Sequence, residues 1–580
     1  MKVYKSITTI KGPLVFVENI SGVAYKELAQ ITLSNGEVIN GQVLEIDRDR
    51  AIIQVFEGTT GISRNKIKIK FKGDTAKMGV SDEMLGRIFD GRGRAADNLA
   101  FYPKSYLDIN GAPINPAARS SPHDLIQTGI STIDCMMPIV RGQKLPIFSL
   151  SGMPHNKLAA QIARQATVID NSHFAVVFAA MGISRSDADY FRQEFENTGA
   201  LKSTVLFLNL ADDPSVERIM TPRVALTAAE YLAYEKGFHV LVIMTDMTNY
   251  CQALREISAA RGEVPGRRGY PGYMYTDLAS IYERAGKIQG ADGSITQIPI
   301  LTMPADDKTH PVPDLTGYIT EGQIILDRSL AKRNHLPPIN ILGSLSRLKV
   351  APDQIREDAH ALADQLYACY AYGKELRDLV AVVGESALSK KDLTYLDFVE
   401  RFERRFVGQG FYENRTVEET LTIGWEILEA IAIEDLKKVT KEMIEAYHPS
   451  SSKSNSQPRR KQRIQKEQEA QEAQEAKEVQ EAQEVQEAQE AQEAQEAQEA
   501  QEVQEVQEKD IAKDKITSSL TSKAAPVLSR DIKRAYVKAN VRDSTNKKNK
   551  KNKDHRDQIK KKKSTQCLQK KSKKDSSKKR

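Results

Sequence analysis

Short apolar stretches that alternate with polar positions occupy the first part of the chain. Residues 42–46 (QVLEI) and 51–56 (AIIQVF) show this pattern, and Asn35-Gly36 between two such stretches is a hairpin signal. Many short strands joined by turns are typical of a small closed sheet. The pattern therefore predicts a β-barrel over residues 1–72.

Longer apolar stretches separated by helical patterns follow, from about residue 84 to residue 345. The predicted strands are 146–149, 174–179, 204–208, 239–244 and 298–303, and the predicted helices between them are 158–168, 188–198 and 221–234. Strands that alternate with helices form a mainly parallel sheet that is covered on both faces. We therefore expect an α/β domain over residues 73–345.

Helical periodicity continues through residues 355–448. Apolar and small residues recur at helical spacing, as in Leu362, Leu366, Cys369 and Tyr370. This region predicts a helical domain over residues 346–448.

The composition changes in residues 449–580. Residues 468–508 repeat QEA or QEV, and a three-residue period makes the apolar stripe wind around a helix, so no coiled-coil seam persists. Residues 509–580 carry 26 Lys and Arg against 7 Asp, a net charge of +19. We predict a disordered low-complexity tail with a polybasic end.

Charge and cysteine content add limits to this picture. The net charge is +6, but residues 1–450 carry −5 and residues 451–580 carry +11. The four cysteines form no CxxC pair, which favours a reducing compartment and argues against a disulfide framework. No secretory signal and no apolar run of membrane-spanning length is present in the sequence.

Residues 149–157 (SLSGMPHNK) have the outline of a phosphate-binding loop, because they lie between a predicted strand and a predicted helix. A working loop supplies backbone N–H groups, a lysine, and a Ser or Thr hydroxyl for Mg²⁺. One register places His155 at the lysine and Asn156 at the hydroxyl position. The other places Lys157 at the lysine and Leu158 at the hydroxyl position. Both registers fail, and a purely structural turn is the alternative for these residues alone.

Other segments give the loop a context. Residues 240–246 (VLVIMTD) have the form of a Walker B strand that ends in Asp246. The candidate residues of a degenerate nucleotide site are Ser149, Ser151, Gly152, Pro154, His155, Asn156, Lys157 and Asp246. His155 and His310 show no metal-ligand spacing, so we expect no metal site.

Four segments together resemble a known family. Residues 337–346 (PPINILGSLS), 151–166 (SGMPHNKLAAQIARQA), 85–91 (LGRIFDG) and 54–62 (QVFEGTTGI) are similar to the B subunit, the non-catalytic one, of V-type and A-type rotary ATPases. The catalytic A subunit of that family has an intact loop and a large insertion before it. Only 57 residues separate Gly91 from Ser149 here, too few for that insertion. The resemblance implies a barrel, a P-loop-type α/β domain and a helical domain.

The resemblance also implies a function. Arg347 would be an arginine finger toward the catalytic site of a neighbouring A subunit, with Ser344 and Ser346 in the interface loop. ATP or ADP with Mg²⁺ would bind at the A–B interface, held mainly by the A subunit. The implied partners are A subunits in an A3B3 hexamer, the central and peripheral stalks and, indirectly, a membrane sector that moves H⁺ or Na⁺. The chain would lie on the cytoplasmic face of the membrane and be no enzyme by itself.

Two alternatives remain at this point. The chain could be a self-sufficient P-loop ATPase, which hydrolyses ATP alone. It could also be a nucleic-acid-binding or scaffold protein that acts through its basic tail. Contact of the tail with anionic lipid or RNA is a further expectation.

Overall fold

The structure is a computed structural model, and it describes residues 3–4, 7–63, 67–111, 114–170 and 172–450. Residues 1–457 form one compact unit of the chain. All described residues lie in this unit. The predictions for the QEA/QEV repeat and the polybasic tail lie outside the described residues.

The N-terminal region is a seven-stranded antiparallel sheet with the order β1-β7-β4-β5-β6-β3-β2. Its strands are β1 (Val3–Tyr4), β2 (Thr9–Lys11), β3 (Leu14–Val17), β4 (Glu27–Thr32), β5 (Val38–Asp47), β6 (Arg50–Val55) and β7 (Lys68–Thr75). Buried and partly exposed residues alternate along β4, as expected for a sheet with one face on a core. The predicted hairpin joins β4 to β5, and Gly36 takes the positive φ that its turn requires.

A second sheet forms the centre of the described chain. Its order is β21-β20-β13-β19-β17-β15-β16-β9, with β18 paired to β19. Smaller sheets pair β8 with β10, and β11 with β12 and β14. The strands of this region are β8 (Lys77–Val80), β9 (Ile88–Asp90), β10 (Ser105–Asp108), β11 (Leu125–Gln127), β12 (Ile139–Val140), β13 (Ile147–Ser149), β14 (Thr167–Val168), β15 (Phe174–Ile183), β16 (Thr204–Leu210), β17 (His239–Thr245), β18 (Gly286–Lys287), β19 (Ser294–Thr302), β20 (Gly322–Ile325) and β21 (Leu345–Ser346).

The central sheet is parallel from β9 to β20 and buried on both faces. Alternate residues of β15 enter different cores: Val176 and Phe178 face one, and Ala175 and Val177 face the other. Every residue of β17 is buried, which explains the apolar run at residues 240–244 within it. The predicted mainly parallel sheet is confirmed, although β15 and β19 extend beyond the predicted ends.

Helices cover both faces of the central sheet and form the C-terminal region. They are α1 (His155–Gln165), α2 (Arg185–Asn197), α3 (Ser215–Glu230), α4 (Met247–Arg261), α5 (Met274–Tyr282), α6 (Pro311–Ile319), α7 (Arg328–Lys332), α8 (Ala359–Val383), α9 (Lys390–Phe402), α10 (Val417–Leu428) and α11 (Lys441–Tyr447). Leu362, Leu366, Cys369 and Tyr370 are buried on α8, so the predicted helical face is confirmed.

One predicted helix is wrong at its end. The sequence pattern extended the helix at residues 158–168, whereas α1 ends at Gln165 and, after Ala166, β14 begins at Thr167. Val168 pairs with Ile126 of β11. Threonine and valine are β-branched, and a partner strand far away in sequence decides their conformation.

No helix within the described parts of residues 3–450 combines the length and apolarity that a membrane span requires. Cys135, Cys251 and Cys369 are free thiols.

Candidate functional site

Two backbone N–H groups of the loop after β13 donate within the loop itself, and that of Ser151 donates to the carboxylate of Asp306 at 3.4 Å. The N–H of Met153 donates to the carbonyl of Leu150 at 3.1 Å, and the N–H of His155 donates to the carbonyl of Met153 at 2.9 Å. Pro154 has no N–H. Gly152 has φ +74° and open space around it, as a tight turn requires. These groups therefore do not form the ring of inward N–H donors that holds a phosphate.

The side chains of the loop are also engaged locally. Ser149 is fully buried, and its Oγ lies 3.1 Å from Nδ1 of His155. Nδ2 of Asn156 donates to Asp187 at 3.3 Å, while its Oδ1 is buried without a hydrogen-bond partner in the described residues. Lys157 is exposed on α1. The loop thus has no lysine that is directly followed by a Ser or Thr to supply a hydroxyl for Mg²⁺, and the residues present do not fit a site that binds a Mg-nucleotide tightly.

Asp246 lies close to this loop in the sheet, and its carboxylate accepts hydrogen bonds from backbone N–H groups. It precedes α4 as its N-cap and accepts the N–H of Thr248 at 2.7 Å and that of Thr302 at 3.1 Å. Thr302 is the register partner of Ser149, and the N–H of Met303 donates to the Ser149 carbonyl at 2.8 Å. The structure therefore brings the predicted Walker B acid and the loop to the same carboxyl edge. All eight predicted residues of the degenerate site are there: Ser149, Ser151, Gly152, Pro154, His155, Asn156, Lys157 and Asp246.

A cavity of about 740 Å³ opens beside the loop, between the central region and the helical region. Pro154 and Lys157 line one side, and Phe411 and Tyr412 line another. Arg164 of α1 stacks on both rings, with its guanidinium carbon 4.6 and 4.7 Å from their centroids. The cavity is therefore built from two regions that are far apart in sequence.

Sequence reasoning missed Arg164, Phe411 and Tyr412. A signal was available in residues 408–412 (GQGFY), where glycines and aromatic residues interrupt a helical pattern. What the sequence could not show is that this segment packs on α1.

Arg347 follows β21 at the edge of the central sheet. It is exposed, and its backbone N–H donates to the carbonyl of Glu321 at 2.9 Å. The guanidinium makes one long hydrogen bond, 3.4 Å to the carbonyl of Thr320, and no carboxylate within the described residues forms an ion pair with it. The backbone of Arg347 is therefore fixed by a hydrogen bond, whereas its guanidinium remains available for contact with an anion.

Ser344 and Ser346 hold the segment before Arg347 in place. Ser344 Oγ accepts the N–H of Ile325 at 2.8 Å and donates to the carbonyl of Asn340 at 2.6 Å. Ser346 Oγ accepts from Gln143 at 2.8 Å. Both hydroxyls are used inside the chain.

Arg347 and the degenerate loop lie at opposite ends of the sheet. Ser346 pairs with Gly322 at the amino end of β20, whereas the loop follows the carboxyl end of the parallel neighbour β13. At ~3.3 Å per residue, the two positions differ by about 13 Å along the strands, and two strand spacings separate them sideways. Arg347 therefore does not belong to the loop of its own chain.

Three family models match the chain in the order of its regions. Residues 7–73 match the beta-barrel domain of the ATP synthase alpha/beta family, residues 129–346 match its nucleotide-binding domain, and residues 348–448 match the C-terminal domain of V and A type ATP synthase. A solved structure, described as a unique ATP synthase subunit NeqB from Nanoarcheaum equitans, is 43% identical with a TM-score of 0.58. The match covers 69% of this chain and 98% of that one.

The chain belongs to the ATP synthase alpha/beta family. The predicted order of barrel, nucleotide-binding α/β domain and helical domain is confirmed. The degenerate loop and Asp246 both lie within the nucleotide-binding domain of this family, and so does the segment up to Ser346.

Proposed function

We propose that the chain is the non-catalytic B subunit of a V/A-type rotary ATPase or ATP synthase. It alternates with catalytic A subunits in an A3B3 hexamer, contacts central-stalk and peripheral-stalk subunits, and lies on the cytoplasmic face of a membrane. The complex couples ATP turnover to the movement of H⁺ or Na⁺. Within it, this chain completes the catalytic site of an A subunit.

The exposed, unpaired guanidinium of Arg347 carries this proposal. A guanidinium without a carboxylate partner in the described part of its own chain is free to meet the charge that develops on a transferring phosphoryl group. Its distance from its own loop favours a role at another chain's site. Ser344 and Ser346 fix the backbone from which it extends.

The geometry of the degenerate loop supports the proposal that this chain is non-catalytic. Two of its N–H groups close a turn, and it lacks the lysine followed by Ser or Thr that binds Mg-ATP. ATP or ADP with Mg²⁺ is therefore held mainly by the A subunit. The chain alone is not an enzyme.

The division of the chain follows the same proposal. We place the barrel at 1–72, the nucleotide-binding-like domain at 73–345, the helical domain at 346–448 and the tail at 449–580. The tail, with its net charge of +19 in residues 509–580, contacts anionic lipid or RNA by charge.

Reconstitution tests the proposal. The purified full-length chain should hydrolyse no ATP and bind Mg-ATP weakly or not at all, and the catalytic partner should co-purify with it from native membranes. Adding the chain to that partner should raise ATP turnover above that of the partner alone.

Two results would favour the alternatives instead. Saturable ATP hydrolysis by the chain alone would make it a self-sufficient ATPase. Salt-sensitive RNA binding that disappears on removal of residues 509–580, without any catalytic partner, would make it a nucleic-acid-binding protein.

A further inference from the structure

A second cavity, of about 600 Å³, lies between the N-terminal barrel and the central region. It shares no lining residue with the degenerate loop. Its apolar surface includes Phe56 from the barrel, Met220 from α3, and Leu254 and Ile257 from α4. The volume lies in the range of ~300–1,000 Å³ that is usual for small-molecule sites, and a mixed apolar and polar lining is typical of them.

Lys26 enters this cavity from an unusual backbone position. Its φ is +63°, a region that residues other than glycine seldom adopt. The chain fixes it there from both sides: the Lys26 N–H donates to the carbonyl of Val43 at 2.9 Å, and its carbonyl accepts from Gln42 at 3.0 Å. Backbone that is held in such a conformation is often found at functional positions.

The ammonium group of Lys26 forms no ion pair with a described residue. Its Nζ donates to Asn110 at 3.0 Å, and no carboxylate in the described residues lies within ion-pair distance of it. Burial and the nearby positive charge of Arg223 lower its pKa, and together they outweigh the more distant carboxylates of Asp108 and Asp277, which raise it. An anion beside the ammonium would offset this lowering.

The other charges of the cavity are already balanced. Arg223 is paired with Asp277 at 2.6 Å. Arg261 is paired with Glu263 at 2.6 Å and with Glu45 at 2.7 Å. Among the residues that the structure describes, Lys26 is therefore the one cation of the cavity lining that forms no ion pair, and it lies beside an apolar surface.

We propose that this cavity binds a small organic anion with an apolar body and one carboxylate, which pairs with Lys26. The apolar body lies against Phe56, Met220 and Leu254. The site is independent of the degenerate loop and of Arg347, so it does not depend on the function proposed above.

Calorimetry with octanoate and its neutral analogue 1-octanol tests the proposal on the full-length chain. We expect saturable octanoate binding with a dissociation constant of about 1 mM or tighter, which a ligand of ten non-hydrogen atoms reaches with ordinary efficiency. Lys26→Met should weaken octanoate binding by at least about tenfold, because a charge-assisted contact is lost. Binding of 1-octanol should be the same in both proteins.

Two further variants complete the test. Lys68→Met removes the same charge from an exposed position of β7 and should leave octanoate binding unchanged. Met220→Trp fills the floor of the cavity and should weaken both ligands. The proposal is overturned if octanoate does not saturate, if Lys26→Met binds it like the wild type, or if the acid binds no better than the alcohol.

Discussion

Glu403 is a buried charge that joins the central and helical regions. Its side chain is 1% exposed. It accepts from Tyr370 at 3.0 Å, from Arg377 at 3.0 and 3.1 Å, and from Arg333, which follows α7. Burial opposes its charge, but the hydrogen bonds from Arg333 and Arg377 outweigh burial and hold the pKa of Glu403 at about 2.

Glu403→Gln should destabilise the helical region by about 2 kcal/mol, because two guanidinium groups lose their anion. Both are about one-third exposed and can be hydrated, which keeps the loss below that for a fully buried pair. The single tryptophan, Trp425 on α10, reports urea unfolding of this region. Asp397→Asn, in an exposed pair with Arg401, should change the free energy of unfolding by less than about 0.5 kcal/mol.

The pH dependence of stability has a definite sign. An unfolded glutamate has a pKa of about 4.3, above the folded value of Glu403. The ionised Glu403 therefore contributes its full stabilisation at pH values above the unfolded pKa, and this contribution is lost as the pH falls toward 2. The difference in stability between wild type and Glu403→Gln should shrink over this range. A difference that stays constant from pH 6 to pH 3 would contradict the assignment.

Between elements, Arg164 connects α1 to the segment that follows α9. Besides stacking on Phe411 and Tyr412, it donates to the carbonyl of Phe411 and pairs with Glu194 at 2.5 Å. Arg164→Met should release this segment, so that amide hydrogen exchange over residues 408–413 becomes at least about tenfold faster. Arg192→Met, at an exposed position of α2, should leave these rates unchanged. Equal rates in both variants would show that Arg164 does not hold the segment.

The sequence predicted the elements in which the pattern of apolar residues matches the pattern of buried residues. All seven residues of β17 are buried, so an apolar run sufficed, and the periodicity of α8 matched its buried face. Pairings between distant segments could not be predicted in this way. Thr167 and Val168 form a strand because β11 lies beside them.

The same limit applies to the site. The chemistry missing from residues 149–157 could be recognised from residue types alone, since no lysine precedes a Ser or Thr there. The sequence could not show that Asp246 is engaged by Thr248 and Thr302. Nor could it show Lys26 in a cavity between two regions, because that placement depends on how the barrel packs.

At the scale of the whole molecule, the tail should be dispensable for folding. The apolar positions of the QEA/QEV repeat make no continuous stripe, and the basic end has few apolar residues. Removal of residues 451–580 should leave the urea transition of Trp425 unchanged. Binding to anionic vesicles at low salt should be lost, while neutral vesicles bind neither form. Equal binding of full-length and truncated chains to anionic vesicles would rule out the lipid contact.

In the proposed function, Arg347 acts on the catalytic site of a neighbouring subunit. Arg347→Ala should leave folding and assembly with A subunits nearly intact, because the side chain is exposed and its backbone bond to Glu321 remains. Arg347→Lys should recover little activity, since an ammonium lacks the planar fork that meets two phosphate oxygens. Nucleotide affinity should change far less than rate.

The most direct measurement is the ATP turnover of the assembled head with wild-type, Arg347→Ala and Lys349→Ala chains. Lys349 is an exposed cation two residues further along and serves as the matched control. Turnover should fall by at least about 10²-fold with Arg347→Ala, because an arginine finger contributes about 10³–10⁵ in rate. It should stay near the wild-type rate with Lys349→Ala. A head that assembles normally with Arg347→Ala and turns over ATP at the wild-type rate would show that Arg347 is not an arginine finger.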